Sequence, residues 1–81
     1  MSTEYFTRRQ EKLRTALGEQ QVDGMLITNL IHIRYLCGFT GSSGSLLMGP
    51  DSCEFVTDGR YVVQSKNEVR GANITIDSIP H

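Results

Sequence analysis

The stretch Ile33-Arg34-Tyr35-Leu36-Cys37-Gly38-Phe39-Thr40-Gly41-Ser42-Ser43-Gly44-Ser45 runs straight into Leu46-Leu47-Met48, and its reading decides the fold. It starts on a short helical turn, passes through residues 38–44, which are only Gly, Phe, Thr or Ser, and ends in an apolar strand. The glycines permit positive φ and let another group approach the backbone closely. A small polar loop between two ordered elements is where binding groups tend to sit. Its amides and hydroxyls would suit an anion, but the order of elements argues against a phosphate loop. Such a loop has a strand before it, a helix N-terminus after it and a Lys at its end. Here a strand follows, and no Lys is present in the loop.

Upstream, residues 4–20 read as a helix with Phe6, Leu13, Ala16 and Leu17 on one face. Ser2, Thr3 or Thr7 can cap its start, Thr7 with Gln10 matching a capping box. Gly18 weakens the last turn, and Val22 is expected to pack beneath it. Asp23-Gly24 then delivers the chain into Met25-Leu26-Ile27-Thr28, an apolar run that suits a strand covered on both faces. Asn29 is a good N-cap for a short helix through Leu36.

Downstream, residues 45–48 and 53–57 read as a hairpin closed by Gly49-Pro50-Asp51-Ser52, where Pro presets φ and Asp favours the turn. Asp58 can cap a helix over residues 59–69 with Val62, Val69 and Ala72 inward. Gly71 ends it, and residues 73–77 form a last strand with Ile74 and Ile76 inward. Helices alternating with strands, one pair of them a hairpin, give an α/β fold with a mixed sheet. The chain reads as a single domain, residues 1–81, and as an incomplete one, because the last strand has nothing after it to cover it.

Composition narrows the function classes. Eight basic residues against nine acidic ones lack the excess of a general nucleic-acid binder. Arg8, Arg9, Lys12 and Arg14 cluster on the first helix with Glu4 and Glu11 among them, which reads as a solvated face. No run approaches the roughly eighteen apolar residues of a membrane span. The N-terminus lacks the basic-then-apolar form of a secretory signal. Cys37 and Cys53 have no metal-ligand spacing and read as reduced, partly buried thiols of a cytoplasmic protein.

No catalytic constellation stands out. A pairing of His32 with Ser42, Ser43 or Ser45 is conceivable, but no serine follows a strand and precedes a helix as a nucleophile elbow requires. A metal site needs at least three converging ligands, and His32 with Asp58 supplies two. Asp58-Gly59-Arg60-Tyr61 reads first as a helix cap, with Arg60 on the first turn paired back to an acid. Its other reading aims Arg60 into a cleft. Tyr35 reads as half-buried with a wet hydroxyl.

The block Ile33-Arg34-Tyr35-Leu36-x-Gly38-Phe39-Thr40-Gly41-Ser42-Ser43-Gly44, an apolar strand, and then Thr57-Asp58-Gly59-Arg60-Tyr61-x-x-Gln64 closely resembles the N-terminal domain of Xaa-Pro aminopeptidases and Xaa-Pro dipeptidases. This creatinase/prolidase-type domain precedes a pita-bread metallopeptidase domain. Glu11-Lys12-Leu13-Arg14 through Asp23-x-x-Leu26-Ile27-Thr28-Asn29 resembles the same family's first helix and strand, so the likeness spans about residues 8–70. Gln21 stands where the family often has Gly to close the first helix, Leu30 where it often has Pro, and Cys37 where it often has Thr or Ser.

The resemblance implies a three-layer α/β/α arrangement with a ribonuclease H-like mixed sheet, truncated here. It implies no catalytic or metal-ligating residue in this chain and no cofactor of its own. The absent catalytic domain is expected to hold two divalent ions (Mn, Co or Zn) and to remove an N-terminal residue that precedes Pro. This domain is expected to give dimer contacts and to shape the active-site entrance. By position, Arg34, Tyr35, Phe39, Thr40, Ser42, Ser43, Asp58, Arg60 and Tyr61 are the entrance and inter-subunit candidates. Expected partners are a second copy and a peptidase catalytic domain, with neither nucleic acid nor membrane. The rival readings are a free-standing oligomerisation module of this fold and a small-ligand binder using the glycine-serine loop.

Overall fold

A computed structural model describes residues 3–77. In chain order these form α1 (Thr3–Glu19), β1 (Met25–Ile27), α2 (Leu30–Cys37), β2 (Ser45–Met48) and β3 (Cys53–Asp58). A 3-10 turn (Gly59–Tyr61) then leads into α3 (Val62–Glu68), and β4 (Asn73–Asp77) follows. The strands make one sheet in the order β1-β2-β3-β4, antiparallel for the first two pairs and parallel for the last. This is the mixed α/β sheet that the pattern predicts. The β2–β3 hairpin closes where the Gly49 N–H donates to the Ser52 carbonyl at 2.9 Å. A parallel pair cannot be joined by a tight turn, and α3 supplies the crossover between β3 and β4.

The register places Ile27, Leu46, Phe55 and Ile74 in one row across the sheet, with Met48 opposite Cys53 beside it. These side chains join Ile33, Leu36, Cys37, Phe39 and Val69 in a single core. The next row, Leu26, Leu47, Glu54 and Asn73, points to the other face, where Leu26 is 63% and Leu47 48% exposed. The described residues thus supply the sheet and one helical layer of the three-layer arrangement. Burial of the side chains in the first row takes apolar surface out of water, each fully buried large side chain contributing about 1.5–3 kcal/mol.

Local differences from the sequence reading have local causes. β1 is an edge strand rather than one covered on both faces, and only Ile27 of its three residues is buried. A short apolar run does not reveal whether it lies at the centre or the margin of a sheet. On α1, Ala16 is exposed while Phe6 and Gln10 are buried, and Val22 just beyond the helix is exposed rather than packed beneath it. The Gln10 amide donates at 3.0 Å to both the Leu36 and Arg70 carbonyls, tying α1 to the ends of α2 and α3. Thr7 lies within α1 rather than capping it, and the proposed Ser2 cap lies outside the described residues.

The basic cluster is only partly a solvated face. Arg14 donates to the Gly49 carbonyl at 3.0 Å and the Ser52 carbonyl at 3.3 Å, pinning the hairpin turn, and pairs with Glu11. Arg9 lies between the rings of Tyr5 and Tyr35, at 4.2 and 4.1 Å from their centroids. The helix expected over residues 59–69 begins as a 3-10 turn and ends at Glu68, with Val69 already extended. Ile76 shares the face of Ile74, opposite the buried Thr57, but remains partly exposed.

α1 closes by a pair of backbone bonds, Val22 N–H to Leu17 O at 2.9 Å and Gln21 N–H to Gly18 O at 3.1 Å. This is the Schellman pattern, and it demands a left-handed residue at position 21. Gln21 takes it with φ 59°, at the position where the family often has Gly. Cys37 and Cys53 are both free and buried.

Candidate functional site

The 38–44 loop is held by α2 on one side and by residues 58–68 on the other. Asn29 caps α2 by accepting from the Ile31 and His32 amides at 2.9 and 3.2 Å, which sets the register in which α2 ends. Gly38 then turns the chain with φ 90° and donates its N–H to the Arg34 carbonyl. A side chain there would be strained, and its Cβ would meet the Glu68 carbonyl at 2.8 Å. α2 and α3 therefore touch at this residue, and the Arg70 N–H bonds the Cys37 carbonyl at 2.9 Å beside it.

Phe39 supports the loop from below. Its ring is 1% exposed, tilted on Phe55 at 4.6 Å and edge-on to Tyr61 at 5.4 Å. Phe39 is thus a core residue, because an apolar ring between two others gains more from burial than from solvent. Gly41 lies across these rings: a Cβ there would fall 2.3 Å from Phe39 and 2.9 Å from Tyr61. The loop backbone consequently lies flat on an aromatic shelf.

Three polar links fix the loop above the shelf. Thr40 donates its N–H and hydroxyl to the Glu68 carboxylate at 2.8–2.9 Å, and Gln64 donates to both Thr40 Oγ1 and Glu68 Oε1 at 3.1 and 3.2 Å. Ser42 shares its hydroxyl with the Tyr61 hydroxyl, which also accepts from the Ser42 N–H at 3.3 Å. The buried Thr57 donates to the Ser43 carbonyl at 2.6 Å.

The electrostatics follow from these contacts. Burial acts to raise the Glu68 carboxyl, but the Thr40 and Gln64 hydrogen bonds and the Arg34 charge outweigh it and hold the group below its usual value. The Ser42 hydroxyl, and then its amide, pull the Tyr61 phenol down. Arg60 folds back on Asp58, whose hydrogen bond and charge push the guanidinium pKa further up. Arg34 borders a cleft of about 270 Å³ with Thr40, Glu68 and Arg70 on its walls and Phe6 also lining it.

The structure therefore brings together Thr40, Ser42, Ser43, Asp58, Arg60 and Tyr61, with Arg34 at the margin. It places Tyr35 elsewhere, stacked on Arg9. Gln64 and Glu68 belong to the cluster although sequence reasoning did not select Glu68. Their four-residue spacing on α3 was the available signal. Among the described residues no three His, Cys, Asp or Glu side chains converge as a metal site, and no helix is long and apolar enough to cross a membrane. The arrangement offers hydroxyls, one guanidinium and a fixed loop backbone to a neighbouring surface. It offers no nucleophile with an adjacent base.

Comparison with known proteins agrees with this geometry. The family model for the creatinase/prolidase N-terminal domain matches residues 9–78. The chain is 47% identical over 64 residues to the uncharacterized peptidase YqhT of Bacillus subtilis, covering 79% of this chain and 18% of that protein. A creatinase/prolidase-like N-terminal domain from Corynebacterium diphtheriae superposes with a TM-score of 0.84 at 40% identity, over 89% of this chain and 59% of that one. Xaa-Pro dipeptidase from Bacillus anthracis superposes at 0.85 with 35% identity, over 91% of this chain and 21% of that one. The chain thus spans about a fifth of the curated relative it matches.

Proposed function

The chain belongs to the creatinase/prolidase N-terminal domain family, and from that premise we propose that it is the non-catalytic N-terminal domain of an Xaa-Pro peptidase-like protein. In this reading its 38–44 loop and residues 58–61 shape the entrance to the active site of that protein. The observation that carries the proposal is the loop itself. Thr40 is tied to α3, Ser42 to the 3-10 turn and Ser43 to β3, so a glycine-rich loop is held rigid at the surface. A rigid polar rim limits what enters a cleft, whereas a mobile one would not.

In this reading bond cleavage belongs to a catalytic domain of that protein. A divalent metal pair there would polarise the peptide carbonyl and lower the pKa of bound water. The substrate is a peptide with Pro in the second position, and the location cytoplasmic. The apolar outer sheet face around Leu26 and Leu47 favours a second role in self-association, giving a homodimer. A clean monomer by light scattering at high concentration would remove that role.

The test is hydrolysis of an Xaa-Pro peptide with Mn²⁺ added, comparing the 81-residue chain with a longer polypeptide that carries it. Activity confined to the longer product supports the accessory role. Activity in the 81-residue chain alone would overturn it. In the longer product Ser42→Ala and Arg60→Ala should change KM or peptide-length preference, and unchanged kinetics for both would remove the entrance role.

A further inference from the structure

A second surface lies apart from the loop, where α1, β1 and α2 meet. It is a groove of about 430 Å³ whose floor is apolar, built by Leu13, Ile27 and Leu36 with Met25 at its margin. Its rim carries the charges of Arg9 and Lys12 with the His32 ring beside them, and none of its lining residues is a carboxylate. A contiguous hollow adds Arg8 and Tyr5 and again no acid. Arg9 is engaged by the two tyrosine rings and by the Tyr35 carbonyl at 2.8 Å. Lys12 and His32 are exposed, and no ion pair of either is seen among the described residues, although Lys12 also borders a hollow lined by Glu11 and Glu19.

The groove also borders an open strand. Among the described residues β1 is the last strand of the sheet on this side, and the backbone groups on its outer edge face no neighbouring strand there. Met25 and Ile27 point from β1 towards the groove, by the register that pairs them with Met48 and Leu46. A strand laid along β1 would direct every second side chain to the same face. Backbone pairing would supply affinity and the groove would select side chains, the division of labour in strand-addition complexes.

We propose that this groove and the β1 edge dock an extended acidic segment of a partner protein. An apolar side chain of the segment enters between Leu13, Ile27 and Leu36, and a carboxylate two residues away on the same face meets Lys12 or His32. Charge complementarity selects the class: a cationic rim over an apolar floor repels basic segments and favours an apolar residue flanked by acids. The open edge selects an extended peptide over an anionic lipid, which would leave those backbone groups unused. The site is independent of the entrance role and involves none of the 38–44 loop.

The experiment uses the 81-residue chain and a fluorescein-labelled peptide, Thr-Glu-Thr-Leu-Thr-Glu-Thr, read by anisotropy and by amide shifts. Three competitors accompany it: the same peptide with Lys for Glu, an N-methylated form that cannot pair, and dodecanoate. The acidic peptide should bind with shifts centred on residues 25–27, Lys12 and His32. The Lys and N-methylated forms should fail. Lys12→Glu and His32→Glu, both surface changes, should each weaken binding about fivefold, with the loss largest at low salt. Equal binding of the Glu and Lys peptides, retained binding of the N-methylated form, dodecanoate binding without peptide binding, or no binding at all would each overturn the proposal.

Discussion

Arg60 grips Asp58 with both arms of its guanidinium, Nε to Oδ1 at 2.9 Å and Nη2 to Oδ2 at 2.8 Å, while Asp58 Oδ1 also accepts the Arg60 N–H at 3.0 Å. The two partners are unequal. The Asp58 side chain is 2% exposed and that of Arg60 59%. Removing the acid strips the cap from the turn at Gly59–Tyr61 and leaves a donor unmet, so Asp58→Ala should cost about 2 kcal/mol. Arg60→Ala removes the solvent-exposed partner and keeps the backbone bond to the Asp58 cap, so it should cost less than Asp58→Ala. Urea unfolding of both variants decides it, and a larger loss for Arg60→Ala would contradict this account.

Glu68 gives the loop a dependence on acid. Its carboxyl is held below the usual value in the folded chain, so it contributes stability above the ordinary carboxylate range and loses it as pH falls through the folded value. Glu68→Gln should be less stable than the parent at neutral pH, because Thr40 then donates to a neutral oxygen. The gap should close as pH falls below the ordinary carboxylate range and through the lowered folded value, where the parent's carboxyl is itself protonated. Thermal melts across that range would show a constant gap if Glu68 did not titrate with folding.

How much of this could be seen beforehand depends on the range of the cause. Asn29, the Gly49–Ser52 turn, the Asp58 cap and the span of β4 rest on neighbours within a few residues, and all appear as read. The likeness to the family added Gln21 as the place where α1 must turn left-handed. What local pattern could not supply is set by contacts far along the chain. Gln10 is a polar residue on a helix face, and only the carbonyls of Leu36 and Arg70 make it a buried bridge. Phe39 sits in a polar loop and would pass for a surface ring. Its burial depends on Phe55 and Tyr61 arriving from beyond β2. β1 is apolar in sequence yet marginal in the sheet, because strand order is a property of the whole chain.

The buried thiols predict a loss of stability in alkali. Burial pushes Cys37 up to about 11, against a hydrogen bond from the Phe39 amide, and pushes Cys53 up to about 11, against the Arg14 charge. An acid whose folded pKa is raised stabilises the fold below its unfolded value, and that share is lost as pH rises through the folded one. Between about pH 9 and pH 11 the unfolded chain releases these protons first, so stability should decline across that window. A Cys37→Ala, Cys53→Ala double variant should show a shallower decline, and both native thiols should react slowly with a disulfide reagent at pH 8 until denaturant is added. Fast native labelling would contradict their burial.

Gln21 offers a gain rather than a loss. It occupies the left-handed position that closes α1, where a Cβ crowds the following carbonyl. The two bonds of the closing motif, from Gln21 and Val22 back to Gly18 and Leu17, use only backbone groups, so glycine would keep both. Its side chain is exposed, and no hydrogen bond from it is seen. Gln21→Gly should therefore stabilise the chain by about 0.5–1 kcal/mol, part of the steric relief being offset by the greater freedom of glycine in the unfolded state. Gln21→Ala should give no such gain, since alanine retains the Cβ. Chemical denaturation of the pair separates the causes: equal midpoints for Gly and Ala would mean that backbone strain at this position is not what limits the helix end.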